Sequence, residues 1–176
     1  DGKVIISHDA YININHSLMP DGSEIPKEDA KKYVLHQMNY DEIRKFDVGL
    51  KYYPQYPQQK KIAAYIPLLG ELIDSVEAYT ASNNLPKTIY NIELKNSITR
   101  DGVYNSKPAE LVEAVMAIVK SKNIGNRFYI QSFDFRPLQY AHEKFQKVTL
   151  GFLTGSKNTF EDSKFLKHYS ASNQSL

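Results

Sequence analysis

Four short runs rich in Val, Ile, Tyr or Phe stand out between turn residues, at positions 4–8, 88–95, 127–133 and 147–153. Their length, composition and boundaries predict β-strands. Helical spacing separates them. Leu111, Val112, Val115, Met116 and Val119 fall on one stripe behind Pro108, where a proline fits the first turn. Leu69, Leu72, Ile73 and Val76 do the same after Pro67, and 137–145 and 160–168 are shorter helical candidates. Strand–helix alternation predicts βαβ units and a parallel sheet. Such sheets are covered on both faces, so their strands read as mostly apolar, as Ile5, Ile6 and positions 148–150 do.

Positions 10–66 break the alternation and are expected to form an insertion over the carboxyl face of the sheet, where α/β folds bind ligands. Within it, Asp21-Gly22 signals a turn. Asn39 followed three residues later by Glu42 predicts a capped short helix running to Phe46. Positions 51–60, rich in Tyr, Pro and Gln, read as a loop, and the polar tail 170–176 as frayed. The whole chain is expected to be a single domain, 1–176.

Composition narrows the function classes. Hydrophobic residues make up 41% and charged residues 24% of 176, with 22 basic against 20 acidic side chains. That near balance argues against nucleic-acid or membrane binding driven by gross charge. The 13 tyrosines have no basic cluster among them, so a stacking platform for single-stranded nucleic acid is a weak reading. No apolar run approaches the ~20 residues of a membrane span. The absence of cysteine excludes disulfides, thiolate metal sites and cysteine nucleophiles. Phosphate-loop, dinucleotide, nucleophile-elbow and HExxH patterns are absent.

Candidate chemistry gathers at predicted strand ends. In 90–96, Asn91, Glu93 and Lys95 alternate onto one face and Tyr90, Ile92 and Leu94 onto the other. A buried amide, carboxylate and ammonium need partners or a ligand. The carboxylate suits a hard divalent cation and the lysine a phosphate oxygen. A Glu–Lys pair on an edge strand facing water is the equally available alternative. His8, at the end of the first run, has an imidazole suited to general acid or base work, or merely hydrogen-bonds the next loop. Asp9 reads as a turn residue and Asp134 as the cap of the following helix. His16, His36, His142 and His168 share no ligand spacing and read as surface or loop residues.

These blocks together resemble the glycerophosphodiester phosphodiesterase family. Asp1-Gly2-Lys3-Val4-Ile5-Ile6-Ser7-His8-Asp9 is similar to its DG-x-x-V-x-x-HD stretch, and 40–49 to its helix with a leucine-Asp-Ala-Gly type stop. Ile66-Pro67-Leu68-Leu69-Gly70-Glu71-Leu72 resembles its I-P-T-L-E-E segment. Asn91-Ile92-Glu93-Leu94-Lys95 resembles its E-x-K strand, and Gln131-Ser132-Phe133-Asp134 its Q-S-F strand end.

The resemblance implies a (β/α)8 TIM barrel of which this chain covers the middle strands, with the site at the carboxyl face. It implies hydrolysis of glycerophosphodiesters, small-molecule substrates, to an alcohol and glycerol 3-phosphate with calcium or magnesium. His8 would then be an acid/base histidine, Glu93 a metal ligand and Lys95 the phosphate holder. The family's second histidine lies in an HRG stretch and its other ligands in an E-x-D stretch, both ahead of Asp1. The expectation is therefore a piece of a longer protein, or half of an assembled one, with activity belonging to the complete form.

The loop 10–15 lacks the family's arginine and threonines. Two other readings stay open: another phospholipase-type phosphodiesterase, and a non-catalytic barrel remnant acting as a binding module. Family habit leans toward the cell envelope or periplasm. Head-group preference and oligomeric state are not legible in the sequence.

Overall fold

The structure is a computed structural model and describes residues 1–155. Its centre is a three-stranded parallel sheet, β1 (Tyr90–Glu93), β2 (Phe128–Ser132) and β3 (Thr149–Phe152), in that order. The register sets Ile92 beside Ile130 beside Leu150, and Glu93 beside Gln131 beside Gly151. Helices α1 (Tyr40–Ile43), α2 (Leu69–Ser82), α3 (Pro108–Ser121) and α4 (Phe135–Lys144) complete the regular elements, with short 3₁₀ turns at Lys27–Asp29 and Leu35–Gln37. The helix expected at 160–168 lies outside the described residues.

Alternation along the strands decides the layering. Tyr90, Ile92, Phe128, Ile130, Leu150 and Phe152 share one face and pack with Leu69 and Ile73 of α2, Val112, Val115 and Val119 of α3, and Leu138 and Ala141 of α4. Ile130 is fully buried at the centre. The opposite face carries Asn91, Glu93, Tyr129, Gln131 and Thr149, none of them buried. Among the described residues the helices pack on the apolar face, and the polar face carries none of that core.

One correction concerns 4–8. This run is extended but is not a strand of the sheet. Ile5 makes a single antiparallel bridge to Leu68, Ile6 N donates to Pro67 O at 2.9 Å, and Leu69 N donates to Val4 O at 2.9 Å. Pro67 has no N–H to give, and α2 starts at Leu69, so the ladder cannot lengthen. The four expected strands reduce to three among the described residues.

Local chemistry explains the other boundaries. Asn39 N donates to Glu42 Oε2 at 3.0 Å, the expected cap of α1. The helix ends at Ile43 rather than Phe46, because Lys45 N and Phe46 N bond back only three residues, to Glu42 O and Ile43 O. Helix α4 starts two residues before 137, because Asp134 Oδ1 accepts from Arg136 N at 3.0 Å. Pro108 is the first residue of α3, and Gly22 takes the left-handed φ of +85° that its turn requires.

Positions 10–66 bury a cluster of their own: Ile12, Ile25, Leu35, Tyr40, Ile43, Phe46 and Ile66. Tyr40 joins it to the sheet unit. Its hydroxyl donates to Glu71 Oε2 at 3.0 Å, and the same oxygen accepts Leu68 N at 3.1 Å, capping α2. Burial, then the hydrogen bond to Glu71, pushes the Tyr40 hydroxyl up to about 12.

At the amino end of β1, Glu77 accepts two guanidinium bonds from Arg127, at 2.8 and 2.6 Å, and one from the Tyr90 hydroxyl at 2.7 Å. The Arg127 bonds, then the Tyr90 bond, hold the Glu77 carboxyl down to about 2, against an ordinary 4.5. A depressed carboxyl contributes stability above its unfolded value and loses it as pH falls through the folded value. The stability gap between the native protein and Glu77→Gln should thus be full above pH 4.5 and close as pH falls toward about 2. Urea unfolding across that range checks it, and a pH-independent gap would show that the Arg127 pair is not the source.

Candidate functional site at the carboxyl ends of the strands

Strand β1 delivers Glu93 and Lys95 to the carboxyl end of the sheet, on the face that the described helices leave open. Lys95 Nζ lies 2.8 Å from Glu93 Oε1, with side chains 40% and 25% exposed. The contact is an ion pair without hydrogen-bond geometry, so Oε1, itself shielded from solvent, has no hydrogen-bond donor. The strand therefore brings these two predicted residues together. A carboxylate oxygen so placed is the right donor for a hard cation, but among the described residues no group of three metal-ligating side chains gathers. Glu93 alone gives one ligand.

His8 stands apart. Its side chain is 85% exposed, and Nδ1 lies 3.4 Å from Asp9 Oδ1. Among the described residues no hydrogen bond or ion pair joins it to Glu93 or Lys95. Asp9 does more than start a turn. Its Oδ2 accepts from Asn13 Nδ2 at 2.7 Å and lies 3.8 Å from His16 Nε2, so one carboxylate sits between two imidazoles. Partial burial raises the Asp9 carboxyl, but the bonds from Asn13 and His8 and the two rings outweigh it and leave it below its ordinary value. The signal for Asn13 was its four-residue spacing from Asp9. His16 carried none.

Two polar anchors shape the strand ends. Ser132, fully buried, donates from Oγ to Leu94 O at 2.7 Å and accepts from Asp134 N at 3.0 Å. That ties the end of β2 to the end of β1, directly beside Glu93. Arg136 is clamped between Asp134 and Asp101, which fastens the loop after β1 to the start of α4. Asp101 also accepts from Asn105 Nδ2 at 2.8 Å. The Arg136 bond, then the Asn105 bond, keep its carboxyl below the ordinary range against partial burial. In the same loop Asn96 Nδ2 donates to Ser106 O at 2.8 Å, while its Oδ1 is buried without a hydrogen bond. Sequence reasoning found Asp134 as a cap but missed the clamp it forms on Arg136 together with Asp101, since Asp101 is 35 positions from Arg136.

A parallel α/β sheet with acid, amide and ammonium groups at its carboxyl edge sets its polar side chains where α/β folds bind their ligands. The model of the glycerophosphoryl diester phosphodiesterase family matches residues 1–176, and the chain belongs to that family. No curated protein matches it. Among solved structures it is similar to a Silicibacter pomeroyi protein described as a glycerophosphoryl diester phosphodiesterase, at 24% identity and TM-score 0.74, over 98% of this chain and 59% of that one. A phosphodiesterase from Oleispira antarctica, in complex with the product sn-glycerol-3-phosphate, matches at 18% and TM-score 0.60, over 97% and 55%. A Galdieria sulphuraria protein described as a glycerophosphodiester phosphodiesterase matches at 15% and TM-score 0.54, over 89% and 57%. The chain thus spans a little over half the length of each, and at these identities the likeness is one of fold.

Ser132→Ala removes a buried donor and acceptor at once and strands Leu94 O and Asp134 N. Each polar group left unsatisfied costs about 1–3 kcal/mol. The expected loss in denaturant unfolding is of that order, about 1–3 kcal/mol or more. A loss under about half a kcal/mol would mean the tie between the strand ends is dispensable.

Proposed function

We propose that the complete protein hydrolyses glycerophosphodiesters to an alcohol and glycerol 3-phosphate with the help of a divalent cation, calcium or magnesium, on a closed (β/α)8 barrel. The observation that carries this reading is the Glu93–Lys95 pair on the open face of a parallel strand, in a chain of this family. The one-sided helical cover supports the barrel, because a barrel strand turns one face to helices and the other inward.

In this reading Glu93 would give one carboxylate oxygen to the cation, which would supply charge to offset the phosphate. Lys95 would donate to a phosphate oxygen. His8, protonated, sits at the leaving group. As water attacks phosphorus and the phosphorus–oxygen bond breaks, the imidazolium passes its proton to the departing alkoxide oxygen, which leaves as a neutral alcohol, while the proton lost by the attacking water goes to bulk solvent, from which His8 is reprotonated. The exposure of His8 and its contact with Asp9 are compatible with that role, since Asp9 Oδ1 facing Nδ1 leaves Nε2 as the working nitrogen.

A second reading, a non-catalytic module that binds a phosphodiester, has one observation in its favour. The loop 10–15, where the resemblance calls for arginine and threonines, spends Ile12 on the second core, with the side chain 1% exposed.

The test is turnover of a soluble glycerophosphodiester by the full-length protein with calcium or magnesium added. Glu93→Gln should abolish metal-dependent turnover with little change in Tm, because it keeps the shape and removes the charge. A large fall in Tm without metal would make Glu93 structural. His8→Ala should lower kcat by about a hundredfold or more, with KM changing less. Unchanged turnover would remove His8 from the mechanism. No hydrolysis by a well-folded native protein would favour the binding module.

A further inference from the structure

Positions 50–61 form an exposed loop on a short stem closed by two backbone hydrogen bonds. Val48 N donates to Ala64 O at 2.8 Å and Ile62 N to Gly49 O at 3.3 Å. The Asp47 carboxylate locks the stem from inside, accepting Gly49 N, Leu50 N and Ala64 N at 2.9, 2.7 and 3.0 Å. Gly49 is required there, because any Cβ would collide with the Ile62 carbonyl oxygen. Two turns, Tyr56 N to Tyr53 O and Gln59 N to Tyr56 O, hold the tip.

The stem is built to present something, and the tip is unlike ordinary surface. Every residue from 54 to 65 is exposed. Ile62 is 62%, Tyr56 57% and Tyr52 52% accessible, with Leu50 and Tyr65 close behind. Apolar side chains exposed together in this way mark an interaction surface. From 48 to 70 there is no acidic residue. Lys51 is spent on Ile14 O and Glu24, but Lys60 and Lys61 make no ion pair among the described residues, and Lys61 lies over the Tyr52 ring. Arg44 extends the positive edge over Tyr65.

We propose that this loop docks the protein on an anionic phospholipid surface. Tyrosines and an isoleucine are the side chains that settle at the boundary between headgroups and acyl chains. The lysines beside them meet the negative charge of that surface. The complementarity commits the proposal to an anionic bilayer. A neutral apolar partner would leave the cationic edge unused, and a cationic partner would be repelled. The overall near-neutral charge is no obstacle, because the field falls off within a Debye length and only the local patch counts.

The test uses the full-length protein and sedimentation with large vesicles of either pure phosphatidylcholine or equal parts phosphatidylcholine and phosphatidylglycerol. Binding should be confined to the anionic vesicles and should weaken with added salt. Removing Lys60 or Lys61 as alanine should lower partitioning about fivefold each, the equivalent of about 1 kcal/mol per basic residue. Tyr52→Ser/Tyr56→Ser/Ile62→Ser should abolish it, while Ile89→Ser, an equally exposed apolar site away from the loop, should leave it unchanged. Tm of each variant confirms that the fold is intact. Equal binding to both vesicle types, no binding, or indifference to the loop variants would each overturn the proposal. So would self-association that the loop variants abolish in the absence of vesicle binding, since the patch would then serve a second copy of the chain. Because binding is read without turnover, failure here leaves the phosphodiesterase reading standing, and failure of that reading leaves this one testable.

Discussion

The sheet's asymmetry governs the molecule. Tyr90, Ile92, Leu94, Ile130 and Leu150 turn one way and pack into a core with three helices, while Asn91, Glu93, Tyr129 and Gln131 turn the other way, out of that core. A parallel sheet left open on one side would normally expose apolar strand residues. Here the strands alternate, so among the described residues the open face is polar, and Glu93 and Lys95 stand there free of the core. The strict two-residue period makes this placement unforgiving. A one-residue slip in register would bury Glu93 and expose Ile92. Ser132 guards against that slip, because its hydroxyl ties the end of β2 to Leu94 O, one residue past Glu93.

The region 10–66 solves a different problem with little regular structure. Its cluster around Ile12, Ile43 and Phe46 is held largely by turns and single backbone bonds, and side-chain bonds such as those of Tyr40 join it to the sheet unit. Tyr40 is the most consequential of these. Its ring is buried in the second cluster, while its hydroxyl reaches the carboxylate that caps α2. Glu71 thus starts the helix and fastens the two cores together. This double duty explains a glutamate at that position better than capping alone, which is worth about 1 kcal/mol.

Much of the fold was legible because it follows from periodicity. Three of the four strand-like runs are strands, and α2, α3 and α4 sit where the apolar stripes predicted, since spacing of 2 and 3.6 is a direct image of the backbone. The run 4–8 misled because composition cannot say whether a partner is available. Val4, Ile5 and Ile6 are good strand residues, but the chain beside them holds Pro67 and then a helix. The pairing of Glu93 with Lys95 was legible from alternation alone. The Arg136 clamp and the two imidazoles around Asp9 were not, because each depends on where loops return, and loop paths are set by contacts distant in sequence. The polar face of the sheet was legible too, since the alternation in 90–95 already set Asn91, Glu93 and Lys95 apart from Tyr90, Ile92 and Leu94.

The Glu93–Lys95 pair also sets how a site at this edge can work. Two fully buried charges this close would each require the other, and removing either would be severely destabilising. These side chains are 25% and 40% exposed, though Oε1 itself is shielded from solvent, so the pair lies between those two limits and can be exchanged where a ligand offsets the lost contact. A cation that takes Glu93 Oε1, which has no hydrogen bond to lose, releases the lysine for an anion. An anion taken by Lys95 leaves the carboxylate ready for a cation. On the proposed reading each partner would make room for the other's ligand, so a metal cation and a phosphate would favour one another's binding. That coupling needs both charges to be part wet and adjacent on one face, and it would vanish if either were drawn into the core on the other side of the strand.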